Sequence, residues 1–221
     1  MATFVLIPGG WHGGWYFESF AEALRARGHR AYAVTLTGLG EQRDALHPPV
    51  NLDTHIGDVV RLLDAEQLSN VVLLAHSYGG MVLRGVLDRV PDRIAAALYV
   101  DAYVPNDGES CFELATDRYR SMFLEGATRD GFSVPPPAHL DARTAPHPLA
   151  SFLQRLHLTQ ALPPIRLGYV YLNGWDATPF TPVYERVVRD PAWETFTLAV
   201  GHNVIAEAFD ELLAIALEFA V

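Results

Sequence analysis

A serine at the end of an apolar run is the residue in this chain most suited to chemistry. The run at 71–75 stops at His76-Ser77-Tyr78, two glycines follow, and a helical pattern begins at once. A buried strand, a tight turn and a helix in this order are typical of a nucleophile elbow, which presents a serine at the carboxyl end of a strand. The sequence therefore predicts that Ser77 is a nucleophile.

A serine hydroxyl needs a base, and the base needs a carboxylate to hold its tautomer. His202 lies in a glycine turn between the last predicted strand and the last predicted helix. Asp101 and Asp176 each follow a predicted strand at the same edge of the sheet, and position alone does not separate them. The order Ser77, Asp176, His202 matches the chain order of one fold that uses this elbow.

Acyl transfer also needs donors for a developing oxyanion, and backbone amides usually supply them. The amide of Tyr78, directly after the nucleophile, is one candidate. The loop after the first strand, Gly9-Gly10-Trp11, lets the backbone approach closely, and the Gly10 amide is the second candidate.

These residues need a scaffold, and the apolar pattern predicts a single α/β domain over 1–221. Six strands, each apolar on both faces, alternate with helices, which indicates a mainly parallel sheet flanked by helices. The strands are expected at 3–7, 30–36, 71–75, 94–100, 167–172 and 195–200. Asp53 is the expected cap of the helix before the elbow strand, and a last helix is expected over 206–219.

The alternation stops at about 103–164, a proline-containing segment with two helical patterns. We interpret this segment as a small helical lid inserted after the fourth strand. Its aromatic residues, with others on the same edge of the sheet, predict an apolar substrate pocket lined by Gly9, Trp11, Trp175, Phe180, Phe112, Tyr119, Phe123 and Phe152.

Composition excludes several classes of function. The formal net charge of −10 disfavours nucleic acid and anionic membranes as partners. All 16 basic residues are arginine, which excludes a Schiff-base lysine and a Walker-type phosphate loop. The histidines lack metal-ligand spacing, so no metal is expected. The chain has one cysteine, Cys111, and it has neither a signal-peptide pattern nor an apolar run long enough to cross a membrane. These features predict a cytoplasmic protein. A homodimer is compatible with the sequence.

Several motifs together resemble the α/β-hydrolase superfamily along essentially the whole chain. They are the segment 4–15 (FVLIPGGWHGGW), the elbow 76–80 (HSYGG), 101–105 (DAYVP) and Gly201-His202. The chain looks like the compact branch of plant methylesterases, hydroxynitrile lyases and bacterial carboxylesterases, including pyrethroid-hydrolase-like ones. Pro8-Gly9 stands where this branch usually has His-Gly.

The resemblance implies the α/β-hydrolase fold, no metal or organic cofactor, and a triad of Ser77, Asp176 and His202, with Asp176 favoured over Asp101. It implies a serine carboxylesterase that hydrolyses small to medium hydrophobic esters through an acyl-enzyme.

One alternative is a hydroxynitrile lyase, but such lyases of this branch carry a lysine after the histidine and a threonine in the oxyanion loop. Asn203 and Gly9 occupy those positions here. The other alternative is a ligand-binding homologue without turnover.

Overall fold

A six-stranded parallel sheet forms the centre of the protein, whose computed structural model describes residues 1–220. The strands of the chain are β1 Thr3–Ile7, β2 Arg30–Ala33, β3 Val71–Ser77, β4 Ile94–Ala102, β5 Ser133–Val134, β6 His147–Pro148, β7 Arg166–Leu172 and β8 Trp193–Leu198. Those of the central sheet stand in the order β2-β1-β3-β4-β7-β8. The parallel α/β sheet expected from the apolar runs is confirmed.

Helices cover both faces of the sheet. They are α1 Glu18–Arg25, α2 Leu52–Ala65, α3 Gly79–Arg89, α4 Cys111–Leu114, α5 Asp117–Gly126, α6 Leu149–Leu153, α7 Thr181–Val187, α8 Val204–Glu207 and α9 Phe209–Glu218. Alternate residues of β1 point to opposite faces, as the twofold period of a strand requires. Val5 and Ile7 pack with α2 and α3, whereas Phe4 and Leu6 pack with α1 and α9.

Two helix ends differ from the sequence expectation. The cap of α2 is Asn51, not Asp53: the Asn51 side chain accepts from the Thr54 amide, and the Thr54 hydroxyl accepts from the Asn51 amide. This reciprocal capping box satisfies two free backbone donors, which Asp53 inside the first turn does not do. The expected last helix is broken at Ala208, whose φ of −147° and ψ of 48° are not helical.

The segment between β4 and β7 folds over the carboxyl edge of the sheet. It contains α4, α5 and α6, and also a short antiparallel ribbon in which β5 pairs with β6. We call this ribbon, from Ser133 to Pro148 and including the loop between its strands, the insertion ribbon. Phe123, Val134 and Phe152 from this segment join the same apolar core as α2 and α3.

Within residues 1–220, no helix is long and apolar enough to cross a membrane.

Candidate active site

Ser77 ends β3 in a strained backbone conformation. Its φ is +56°, in the left-handed region that non-glycine residues rarely adopt, and α3 begins two residues later. The Tyr103 amide donates to the Ser77 carbonyl over 3.2 Å and helps to hold the turn. A Cβ at Gly9 would lie 2.9 Å from the Ser77 Cβ, so the loop after β1 passes directly beside the serine. The geometry is that of a nucleophile elbow.

His202 is paired with Asp101. The distance from His202 Nδ1 to Asp101 Oδ2 is 2.7 Å, and the Asp101 side chain is fully buried. Asp101 has a φ of +42° at the end of β4, and its other oxygen accepts from the Leu172 amide over 3.4 Å. Because a carboxylate accepts hydrogen bonds, Nδ1 of His202 carries the ring proton and Nε2 is left free to act as a base.

Asp176, the residue favoured from the sequence as the partner of His202, lies elsewhere. It is exposed on the loop after β7. The side chain that this loop does turn inward is Trp175, whose indole Nε1 donates to Asp101 Oδ2 over 3.1 Å. The Trp175 ring also lies 4.9 Å from the His202 ring. Trp175, and not Asp176, thus lies beside His202, and the predicted partner of His202 is corrected from Asp176 to Asp101.

The His202 loop is held by contacts on several sides. The Phe180 ring stacks on the imidazole at 5.3 Å and 19°. His76 Nε2 lies 3.0 Å from the His202 carbonyl oxygen, which only accepts, so His76 donates there. Burial lowers the pKa of His76 well below its ordinary value, which keeps this neighbour neutral.

Ser77 and His202 line the same cavity. Within residues 1–220 the Ser77 side chain makes no hydrogen bond to His202. Such contacts are often long without substrate and tighten when substrate binds.

The two backbone amides expected from the sequence as oxyanion donors lie beside the cavity. The Gly10 and Tyr78 amides belong to residues that line the cavity beside Ser77. In the part of the chain that the structure describes, neither amide donates to another group of the protein. The Gly10 carbonyl, in contrast, accepts from His12 Nδ1 over 2.7 Å.

The cavity has a volume of about 210 Å³ and an aromatic wall. Seven of the eight residues predicted to line the substrate pocket do so: Gly9, Trp11, Tyr119, Phe123, Phe152, Trp175 and Phe180. The Phe152 ring is stacked on Phe123 at 4.2 Å. Phe112 does not line the cavity, because α4 turns its ring into the neighbouring core. Cys111 contributes its buried thiol to the wall, and burial raises the pKa of that thiol.

A second, more polar chamber of about 780 Å³ adjoins the cavity and shares His202, Trp175 and Arg118 with it. Its wall carries charges of both signs: Arg118, Arg143, Asp141, Asp176 and Glu207. His202 thus lines both the apolar cavity, called the inner cavity below, and the charged chamber, called the outer chamber.

Two buried histidines that the sequence did not single out lie behind the amides. His55 Nε2 lies 3.0 Å from the Thr37 carbonyl, so it donates, and His55 Nδ1 accepts from the Tyr78 hydroxyl over 2.8 Å. Burial lowers the pKa of His55 to about 4. His147 accepts from the Trp11 amide over 3.1 Å. No sequence pattern marks these histidines, because both partners of His55 and the Trp11 amide that binds His147 are 18 to 136 residues away.

Among residues 1–220, no three histidine, cysteine, aspartate or glutamate side chains are grouped to hold a metal ion.

The model of the alpha/beta hydrolase family matches residues 4–215. The chain belongs to this family. A carbendazim hydrolyzing esterase from Nocardioides sp. (strain SG-4G) is 35% identical, with 96% of this chain and 97% of the relative aligned. Methylesterase 10 from Arabidopsis thaliana is 29% identical over 58% of this chain and 46% of the relative. The aligned part thus spans just under half of this plant relative.

Solved structures share the fold at low sequence identity. An extracellular alpha/beta-hydrolase from a Paenibacillus species superposes with a TM-score of 0.84 at 22% identity, covering 100% of this chain and 99% of the other. A pyrethroid hydrolase from Sphingobium faniae JZ-2 superposes with a TM-score of 0.71 at 18% identity, covering 99% and 97%. These likenesses support the α/β-hydrolase fold.

Proposed function

We propose that this protein is a serine carboxylesterase that hydrolyses small to medium hydrophobic esters through an acyl-enzyme intermediate. The observation that carries the proposal is the pairing of His202 with buried Asp101 above an apolar cavity that also exposes Ser77 on a strained elbow. The names of the relatives agree with this class, since both the Nocardioides protein and the plant relative are called esterases.

Acylation follows from the positions of the three side chains. The Ser77 hydroxyl attacks the ester carbonyl while His202 Nε2 takes its proton, and Asp101 stabilises the imidazolium that forms. The Gly10 and Tyr78 amides donate to the oxyanion of the tetrahedral intermediate. Collapse of this intermediate expels the alcohol, which receives the proton from His202 and leaves the acyl group on Ser77.

Deacylation uses the same groups in reverse. Water, activated by His202, attacks the acyl-enzyme carbonyl, and the second tetrahedral intermediate releases the carboxylic acid and returns the proton to Ser77. Because His202 protonates the leaving alcohol, we assign the alcohol to the outer chamber and the acyl group to the inner cavity.

The inner cavity sets the acyl group that fits. An apolar cavity of about 150 Å³ in another protein accepts benzene, so about 210 Å³ accommodates one substituted ring or a branched chain. Arg118 also lines this cavity and none of its lining residues is a carboxylate, so a positively charged acyl group would be buried there at a high cost in free energy. The Nocardioides relative is named for the hydrolysis of carbendazim. A first substrate panel should for this reason contain carbendazim as well as nitrophenyl esters.

Replacing Ser77 by alanine tests the proposal. Loss of a triad member lowers kcat by ~10⁴- to 10⁶-fold, whereas loss of a surface serine changes it little. We expect Ser77→Ala to remain folded, to lose nitrophenyl ester hydrolysis, and to resist labelling by a serine-directed organophosphate. Stoichiometric labelling of the alanine variant, or hydrolysis at the wild-type rate, would exclude Ser77 as the nucleophile.

A cytoplasmic location and a homodimeric state stay proposals from the sequence; one solved structure of similar fold is described as extracellular. Cell fractionation and the mass in solution by light scattering test the two points separately.

A further inference from the structure

Trp11 directly follows the proposed oxyanion donor Gly10 and has an unusual backbone. Its φ is +66°, a left-handed conformation that costs of the order of 1–3 kcal/mol in a residue with a side chain. Such a conformation persists only where its surroundings determine it strongly. The contacts that hold Trp11 therefore bear on the oxyanion loop.

All three hydrogen-bonding groups of Trp11 are bound by the insertion ribbon. The Trp11 amide donates to His147 Nδ1 over 3.1 Å. The indole Nε1 donates to the Val134 carbonyl over 3.0 Å, and the Trp11 carbonyl accepts from the Ala145 amide over 3.0 Å. Val134 and His147 are directly paired in the ribbon, so these contacts form one rigid unit.

The tautomer of His147 is determined by a second contact. The Ser151 hydroxyl donates its only proton to the Pro148 carbonyl over 2.8 Å. The Ser151 oxygen must therefore accept from His147 Nε2, which lies 2.8 Å away. Nε2 then carries the ring proton, and Nδ1 is the acceptor that Trp11 requires. Burial lowers the pKa of His147 well below its ordinary value, and the ring stays neutral.

One peptide group is consequently held from both sides. The bond between Gly10 and Trp11 presents its carbonyl oxygen to His12 Nδ1 and its N–H to His147 Nδ1. The peptide before it carries the Gly10 amide and is confined by Ser77, as the close approach of Gly9 shows. The two histidines thus fix the direction in which the Gly10 amide points.

We propose that His147 is a positioning residue for ester hydrolysis, by which the insertion ribbon holds the Gly10 amide toward the oxyanion. The proposal rests on the proposed esterase function. His147 touches no reacting atom in this scheme and acts only through Trp11. The inserted segment therefore completes the oxyanion site in addition to covering the cavity.

A matched pair of variants separates this role from packing. The two variants are His147→Asn and His147→Leu. The asparagine and leucine side chains have nearly the same size and shape, but only asparagine keeps an acceptor near the position of the histidine Nδ1. Loss of an oxyanion donor costs about 10²- to 10³-fold in kcat, and misalignment of one costs less. We expect His147→Leu to lower kcat for a nitrophenyl ester about 10- to 100-fold with little change in KM, and His147→Asn to recover most of the loss.

A trifluoromethyl ketone, which forms a tetrahedral oxyanion on the serine, gives a second readout. We expect its affinity to fall in His147→Leu by the same factor as kcat/KM. Equal kcat values for the two variants, or a loss confined to KM, would overturn the proposal. If the leucine variant does not fold, Ser151→Ala decides: it removes the acceptor of Nε2–H and should lower kcat about 3- to 10-fold, and an unchanged kcat would overturn the proposal.

The activity of the wild type distinguishes failure of the esterase proposal from failure of the positioning role. If the wild type shows no Ser77-dependent hydrolysis, the esterase function fails. If it does and the His147 variants match it, only the positioning role fails.

Discussion

The two aspartates at the carboxyl edge differ in ways that a mutation can measure. Asp101 is buried against His202, while Asp176 is exposed on the rim of the outer chamber. Asparagine tolerates the left-handed backbone of Asp101 and keeps its shape. It can also hold the wrong histidine tautomer, which costs ~10⁴-fold in kcat in a serine protease.

We therefore expect Asp101→Asn to lower kcat by about 10³- to 10⁴-fold and Asp176→Asn to change kcat only a few-fold. Thermal unfolding of both variants provides the control for folding. The reverse order of the two effects would return the acid to Asp176.

The sequence could single out Ser77 and His202 as candidates because each is tied to a local pattern, a strand–turn–helix in one case and a glycine turn in the other. It could not choose between the aspartates. That choice depends on Trp175, which fills the space beside His202 and binds Asp101. A side-chain contact across 74 residues leaves no local pattern.

The residues at positions 203 and 9 favour ester hydrolysis over cyanohydrin cleavage. Cyanide release is favoured by a positive charge near the leaving group, and Asn203 after the histidine is neutral. A hydroxyl-bearing side chain at position 9 has no room, because a Cβ there would lie 2.9 Å from the Ser77 Cβ. We expect mandelonitrile, corrected for spontaneous breakdown, to release little cyanide beside clear nitrophenyl ester turnover. Ser77-dependent cyanide release at a comparable rate would favour the lyase alternative.

At the scale of elements, the elbow depends on how closely α3 approaches the end of β4. A Cβ at Gly80 would lie 2.0 Å from the Tyr103 carbonyl oxygen, which is backbone and cannot move aside. The same backbone segment donates to the Ser77 carbonyl. The position of α3 and the backbone conformation of Ser77 are thus coupled.

Gly80→Ala should destabilise the protein by at least ~3 kcal/mol, the upper end of the usual cost of overpacking, and reduce activity. Gly57→Ala in α2 is the matched control, because its Cβ would meet only the flexible end of Arg61. This control should be neutral or stabilise by up to ~1 kcal/mol. Urea unfolding measures both, and equal stability of the two variants would contradict the coupling.

The elements themselves were predictable to different degrees. Buried parallel strands are continuous apolar runs, so all six strands of the sheet could be placed from sequence. The insertion ribbon could not, because its strands have only two residues each and one of them contains proline. Its stability comes from tertiary contacts with Trp11 rather than from local pattern.

At the scale of the whole molecule, four histidines lie in or behind the site in a neutral state. Burial lowers the pKa of His12 and His55 from 6.5 to about 4, and those of His76 and His147 well below 6.5. The charge of Asp141 raises the pKa of His12, and that of Asp58 raises the pKa of His55, in each case by less than burial lowers it.

The sign of the pH effect follows from proton binding. Between pH 6.5 and 4 the unfolded chain binds protons on these histidines that the folded protein does not. The free energy of unfolding must therefore decrease as the pH falls through this range. Each histidine contributes a slope of up to ~1.4 kcal/mol per pH unit.

We expect urea unfolding at pH 7.5, 6.0 and 5.0 to show a steady loss of stability on acidification. His55→Gln removes one of these groups, so its stability should fall less steeply with pH even though the variant is less stable at pH 7.5. His157→Gln replaces an exposed histidine and should keep the wild-type slope. A free energy of unfolding that stays constant from pH 7.5 to 5.0 would show that the buried histidines are protonated in the folded protein. In that case the tautomers inferred for His55 and His147 would be wrong.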